Sequence, residues 1–136
     1  MFKKQVKIGN SYKQSSKDRK TLKKDLRKLF DSMAVEKLFQ NIDSFSVNKV
    51  EKSKMIIYSD EDSPMFVDST SKKDYFPSIY ALAAFPTLLK HKLYMKKGVE
   101  EFIKKGAHLM WPGVDKIDKI DDFTVDDVVA IYTSEN

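Results

Sequence analysis

The segment Lys96-Lys97-Gly98-Val99-Glu100-Glu101-Phe102-Ile103-Lys104-Lys105-Gly106-Ala107-His108-Leu109-Met110-Trp111-Pro112-Gly113-Val114 constrains the fold of this chain most strongly. The 136 residues hold only four glycines and four prolines, so the position of each is informative. Three of those glycines and one proline fall in this segment. Gly98 is expected to open a short amphipathic helix and Gly106 to close it, since glycine enters left-handed backbone at little cost. An apolar strand is expected after Gly106, and Pro112-Gly113 then turns the chain. Lys92-Leu93-Tyr94-Met95 reads as a strand leading in, which makes the whole a strand–helix–strand–turn unit.

Charge is distributed unevenly. The chain carries 25 Lys and Arg against 20 Asp and Glu, a net +5. Residues 1–30 hold nine Lys, two Arg and two Asp, a charge of +9, so the remainder is mildly acidic at −4. A basic head on an acidic body fits a polyanionic partner on one side, or a lysine-rich solvated surface. An apolar fraction of 41% allows an ordinary packed core. There is no cysteine, which excludes disulfides and cysteine-based zinc sites. No apolar run approaches bilayer length, and the basic N-terminus lacks the apolar stretch of a signal peptide, so the cytoplasm is the expected location.

Along the chain, Gln5 to Ile8 alternates as a short first strand, and Gly9-Asn10-Ser11 reads as a turn. Ser15 or Ser16 offers an N-cap for a helix running to about Phe30. Leu22, Leu26, Leu29, Phe30 and Met33 share one face at helical period. Lys20, Lys24, Arg27 and Lys28 project from the opposite side with Lys23 beside them, while Asp18 and Asp25 share a flank. A helix built for solubility alone would interleave glutamates with those lysines.

A second helix is expected over Ala34–Ile42, strands over Phe45–Val50 and Met55–Tyr58, and a hairpin return at Pro64–Val67. The acids of Ser59–Ser63 read as turn chemistry, lacking the glycine and distal glutamate of a calcium loop. Ser69–Asp74 reads as a polar loop. Pro77 is placed as the first residue of a helix to Phe85, with Ile79, Leu82 and Ala83 as its buried stripe. Pro86 ends it, with Leu88 and Leu89 following. Asp115–Asp122 is expected as an acidic loop anchored by Ile117 and Ile120, and Val125–Tyr132 as the last strand.

No catalytic constellation is visible, and the chain is expected not to be an enzyme and to need no cofactor. Nucleophilic catalysis needs Ser or Cys beside an oriented histidine. His108 is expected in an apolar strand, packed or at an interface, and His91 as a cap at a helix end. Asp115, Asp118, Asp121, Asp122, Asp126 and Asp127 read as solvated rather than metal-binding. Neither a phosphate-binding loop nor a dinucleotide fingerprint occurs.

The glycine-punctuated segment resembles the start of a PUA domain, whose pattern runs Gly-Ala, an apolar helix face, then Gly-Ala-x-Val-Met-x-Pro-Gly-Val. Across nearly all 136 residues the chain is similar to the ligatin family, with its pre-PUA and PUA domains, and to the related malignant T-cell-amplified sequence protein. The matching elements are Met1-Phe2-Lys3-Lys4, Ser16-Lys17-Asp18-Arg19-Lys20-Thr21-Leu22, Tyr75-Phe76-Pro77-Ser78 and Phe85-Pro86-Thr87-Leu88-Leu89. Gly106–Val114 and Asp127-Val128-Val129-Ala130-Ile131 complete them. Residues 40–70 match by pattern more than by identity. Two departures stand out. Lys96 or Lys97 replaces the family's aspartate before the first PUA glycine, and only about half of a PUA barrel is present.

The resemblance implies an α+β fold: a pre-PUA α/β domain over residues 1–91, then the first part of a PUA-type β-barrel over 92–136, as a piece of a longer chain. It implies a translation initiation and recycling factor that binds small-subunit rRNA and tRNA in the cytoplasm without catalysis. An initiation-factor-1-like domain, in the same or another chain, would be a further partner. The RNA-binding residues expected are Lys20, Lys23, Lys24, Arg27 and Lys28 on the first helix. The PUA-like element adds Lys96, Lys97, Lys104 and Lys105 beside Gly106 and Ala107, where a backbone can approach closely. Trp111 offers either a stacking face for a base or a plug for the barrel end. An RNA-binding accessory domain of a modification system, or a protein-interaction scaffold, fits the same residues.

Overall fold

Helix α1 (Ser16–Leu29) starts where the sequence supplies its cap: the Ser15 hydroxyl accepts the Asp18 N–H at 3.2 Å. The structure, a computed structural model, describes residues 6–118 and 123–133. They divide into two compact units, Val6–Leu88 and the residues from Leu89 onward.

In the first unit, β1 (Ile8–Lys13), β2 (Ser46–Val50), β3 (Ile56–Asp60), β4 (Ser63–Asp68) and β5 (Tyr75–Pro77) form an antiparallel meander in sequence order. Helices α1 and α2 (Ser32–Asn41) are inserted between β1 and β2. Asp31 caps α2 by accepting the Ala34 N–H at 2.9 Å. Leu22, Leu26, Val35, Leu38, Phe45 and Phe66 form the centre of the core. Phe30 stacks on Phe66 at 5.9 Å, and Phe39 meets Phe45 edge-on at 5.4 Å.

Several expectations are corrected here. The first strand is not Gln5–Ile8 followed by a turn; Gly9, Asn10 and Ser11 lie inside β1, which bulges between Ile8 and Asn10. Gln5 itself lies outside the described residues. All six residues of β1 are exposed, so no burial alternation marks it. Leu29 and Met33 do not join the buried face, being 54% and 71% exposed. The chain becomes extended at Phe30, so Met33 belongs to the first turn of α2 and the period counted from Leu22 does not reach it. Pro77 ends β5 rather than starting a helix. Ser78 caps α3 (Ile79–Ala84) by accepting the Ala81 N–H at 3.1 Å. An edge strand tolerates proline because the missing N–H needs no ladder partner. Ala81 is the buried residue of α3, whereas Ile79 is 76% exposed and Ala83 is exposed.

In the second unit β6 (His91–Met95) is central, with β7 (Val114–Ile117) antiparallel on one side and β8 (Val129–Thr133) parallel on the other. His91, Leu93 and Met95 point inward. Helix α4 (Glu100–Lys104) ends as the glycine spacing predicts. The Gly106 N–H donates to Ile103 O and the Ala107 N–H to Phe102 O, with Gly106 at φ +91°. The expected strand after it is absent. Residues 107–110 are irregular, Trp111–Gly113 makes a single 3-10 turn, and the strand begins only at Val114. That strand replaces the start of the expected acidic loop, and Ile120 lies outside the described residues. The last strand begins at Val129, four residues later than expected.

Candidate nucleic-acid interface

The five cations expected on α1 do converge. Lys20, Lys23, Lys24, Arg27 and Lys28 line one surface depression, with Ser32 of α2 at its edge. Successive turns of one helix place them, since i, i+3, i+4, i+7 and i+8 share a face. They are not electrostatically equivalent. Glu36 of α2 receives Lys23 Nζ at 3.0 Å and Arg27 Nη1 at 3.1 Å. The Lys23 hydrogen bond above all holds its carboxyl below the usual glutamate value; burial opposes it, and the charges of Lys23 and Arg27 add to the lowering. Lys20, Lys24 and Lys28 have no carboxylate within ion-pair distance among the described residues. Five cations thus face one carboxylate, and three remain open. The acids on the flank of α1 turn away, Asp25 pairing with Lys73 at 2.9 Å.

In the second unit Lys96 and Lys97 are exposed ahead of Gly98, whose φ is +89°. Lys104 pairs with Glu101 at 3.3 Å, and Lys105 and Ala107 are exposed on either side of the half-buried Gly106. Trp111 is 71% exposed, so it plugs nothing among the described residues and presents an open ring. His108 is exposed in irregular chain rather than packed in a strand. His91 does not cap a helix. It begins β6, buried, with Nε2 at 3.5 Å from Asp127 and its ring edge-on to Phe123 at 5.2 Å. Hydrogen bonds from Thr124 above all keep the Asp127 carboxyl below its ordinary value; burial opposes them, and the charges of His91 and Lys90 add smaller effects. Of the other acids considered, Asp118 pairs with Lys116 at 3.2 Å, Asp115 and Asp126 are exposed, and Asp121 and Asp122 lie outside the described residues. No group of three or more potential metal ligands occurs among the described residues.

Sequence reasoning missed a second basic-aromatic array. On the outward side of the three-stranded sheet, Tyr94 and Tyr132 stack at 5.6 Å. Lys92 lies over the Tyr132 ring at 5.8 Å and Lys116 over Tyr94 at 5.6 Å. The signal was present in the alternation of β6, which puts Lys92 and Tyr94 on one face. Its pairing with Tyr132 depends on the parallel register of β8, which no local pattern shows.

No described helix is long and apolar enough to cross a membrane. The fold is shared with solved structures. A PUA-domain protein of Aeropyrum pernix, crystallised as a tartrate complex, is 24% identical with a TM-score of 0.69 over 96% of this chain and 68% of its own. A conserved PUA-domain protein of Thermoplasma acidophilum is 21% identical with a TM-score of 0.67, covering 93% and 74%. A hypothetical protein of Pyrococcus horikoshii is 23% identical with a TM-score of 0.62, covering 81% and 67%. A search of curated proteins gives no significant match. The model of the Pre-PUA-like domain matches residues 2–86, well over half of the sequence, and the chain belongs to that family.

Proposed function

We propose that the chain is a non-catalytic RNA- and ribosome-binding module of a ligatin-type translation initiation and recycling factor, acting on the small ribosomal subunit and tRNA. Family membership and the PUA-domain fold of its neighbours support an RNA partner, since PUA-like domains generally bind RNA. The carrying observation is the convergence of Lys20, Lys23, Lys24, Arg27 and Lys28 on one depression, where Glu36, paired with Lys23 and Arg27, is their one carboxylate partner among the described residues. Phosphate neutralisation supplies most of the affinity in such an interface. Lys20, Lys24 and Lys28 take phosphates first, and Lys23 and Arg27 follow by leaving Glu36. In this reading the residues from Lys92 supply the opening part of a PUA-type barrel, and Lys96, Lys97, Lys104 and Lys105 hold backbone beside Gly106-Ala107. Trp111 stacks on a base there.

Co-sedimentation with small ribosomal subunits, and tRNA binding by fluorescence anisotropy, test the reading. With about four phosphates contacted, the log of the association constant against log salt has a slope of about −3 to −4, roughly a hundredfold loss of affinity between 50 and 200 mM. Changing Lys20, Lys24, Arg27 and Lys28 together to glutamate is expected to abolish both interactions. Retention of both by that variant overturns the assignment of the interface to α1.

A further inference from the structure

On the flank of α1 away from its lysines, a cleft of about 250 Å³ opens between the helix and the sheet. Its floor is one row of the ladder, Tyr12 opposite Val47 opposite Tyr58. Its wall is the α1 flank bearing Asp18, Leu22 and Asp25, and Tyr75 of β5 closes one end. Gln14, only 9% exposed, also lines it, and its Oε1 is buried without a hydrogen-bond donor. Nearly all such groups in folded proteins are paired, so an orphaned acceptor in a cavity marks a missing donor.

One donor is already at the cleft. Lys73 places its ammonium 2.9 Å from Asp25 Oδ2, as an ion pair whose angles fall short of a directed hydrogen bond. Lys73 comes from the loop after β4, which the buried Asp68 carboxylate folds by accepting the N–H groups of Thr70, Lys73 and Asp74. Its backbone is left-handed at φ +68° and its side chain is 61% exposed. It is thus a tethered cation held loosely in an acceptor-rich site. Burial above all, then Tyr58 and the charges of Asp25 and Asp68, raise the Tyr75 hydroxyl well above the ordinary tyrosine value. Of these causes the Asp25 and Asp68 charges favour a cation, whereas burial opposes any charged group. Asp18 and Asp25 lie two turns apart, about 10 Å along the axis, too far to share one metal ion but suited to an elongated cation.

We propose that this cleft binds a primary ammonium group on an alkyl chain, which competes with Lys73 for the acceptors of the cleft, the Asp25 carboxylate and the unpartnered Gln14 Oε1. Leu22, Val47 and the tyrosine rings pack the methylenes and attract the charge. A free aliphatic amine and the lysine side chain of a partner protein carry this same group.

The test is an amide NMR titration of the full chain with n-butylammonium chloride at constant ionic strength, beside tetramethylammonium, which has equal charge and no N–H. Saturable shifts at Tyr12, Gln14, Tyr58 and Lys73 with butylammonium alone are expected. Lys73→Met removes the tethered competitor and is expected to tighten binding about two- to fivefold, the range of an exposed ion pair. Gln14→Leu is expected to abolish binding while keeping or raising the thermal midpoint, a combination a purely structural glutamine would not give. Spermidine saturating below N-acetyl-lysine methylamide assigns the site to free amines, and the reverse order to a partner lysine. Shifts that do not saturate, that tetramethylammonium reproduces, or that Lys73→Met leaves unchanged overturn the proposal.

Discussion

Arg19 sits in the same helix as the clustered cations, yet its guanidinium turns inward. Its Nη2 donates to the carbonyls of Phe39 and Ile42, and its Cζ lies 5.1 Å from the Phe39 ring centroid. These are carbonyls at the end of α2 that have no partner within that helix, so Arg19 ties the end of α2 to the start of α1. Arg19→Ala is expected to cost about 2 kcal/mol in urea denaturation, from lost charge-assisted hydrogen bonds and stranded acceptors. Glu36 has the opposite character, a half-exposed carboxylate paired with Lys23 and Arg27, which in the proposed interface would compete with phosphate for them. Glu36→Gln is expected to tighten RNA binding about two- to threefold, the scale of an exposed ion pair, read by anisotropy at fixed salt. Because its pKa is depressed in the folded state, Glu36 stabilises the fold fully above the ordinary glutamate range. That contribution is lost as pH falls through the lowered value. Carboxyl-carbon NMR should show Glu36 titrating below its own value in Lys23→Ala.

Among the elements, α1 was legible because its cap and apolar period are local properties, and α2 because its apolar period is, although its Asp31 cap, and so its start at Ser32, was not read. Ser15 and its buried Leu22 and Leu26 suffice to place α1. Strand β1 was not, because a fully exposed edge strand has no buried face to write into its sequence. Strand β5 escaped for another reason: three residues hold their conformation by pairing with β4, through Phe66–Pro77, Val67–Phe76 and Asp68–Tyr75. The β3–β4 turn carries a testable strain. Glu61 there adopts φ +53°, backbone that non-glycine residues enter at a cost of about 1–2 kcal/mol. Glycine removes that strain but gives back part of it through the entropy of the unfolded chain. Glu61→Gly is therefore expected to raise stability by about 0.5–1 kcal/mol, and Glu61→Val to lower it, in equilibrium denaturation.

At the scale of the molecule, the basic face of α1 was readable because charge and burial both follow helical period. The Lys116–Tyr94–Tyr132–Lys92 row and the cleft below Asp25 were not, because each joins strands distant in sequence. The order of the two units bears on how the chain folds. Phe45, Phe66, Leu26, Leu38, Leu88 and Val35, the largest fully buried side chains, all belong to the unit ending at Leu88. The backbone hydrogen bond from Asp31 N–H to Leu88 O, at 3.1 Å, fastens the end of that unit between α1 and α2. Its meander joins neighbouring strands only, so its ladder needs nothing beyond Pro77. A fragment of residues 1–90 is therefore expected to unfold cooperatively and to keep the amide spectrum that residues 6–88 give in the full chain. Leu88→Ala in that fragment, which empties a fully buried site, is expected to cost about 2–5 kcal/mol. A fragment that gave a collapsed spectrum without a cooperative transition would show that this core needs residues beyond Lys90, and would shift the source of its stability from the helix pair to the second unit.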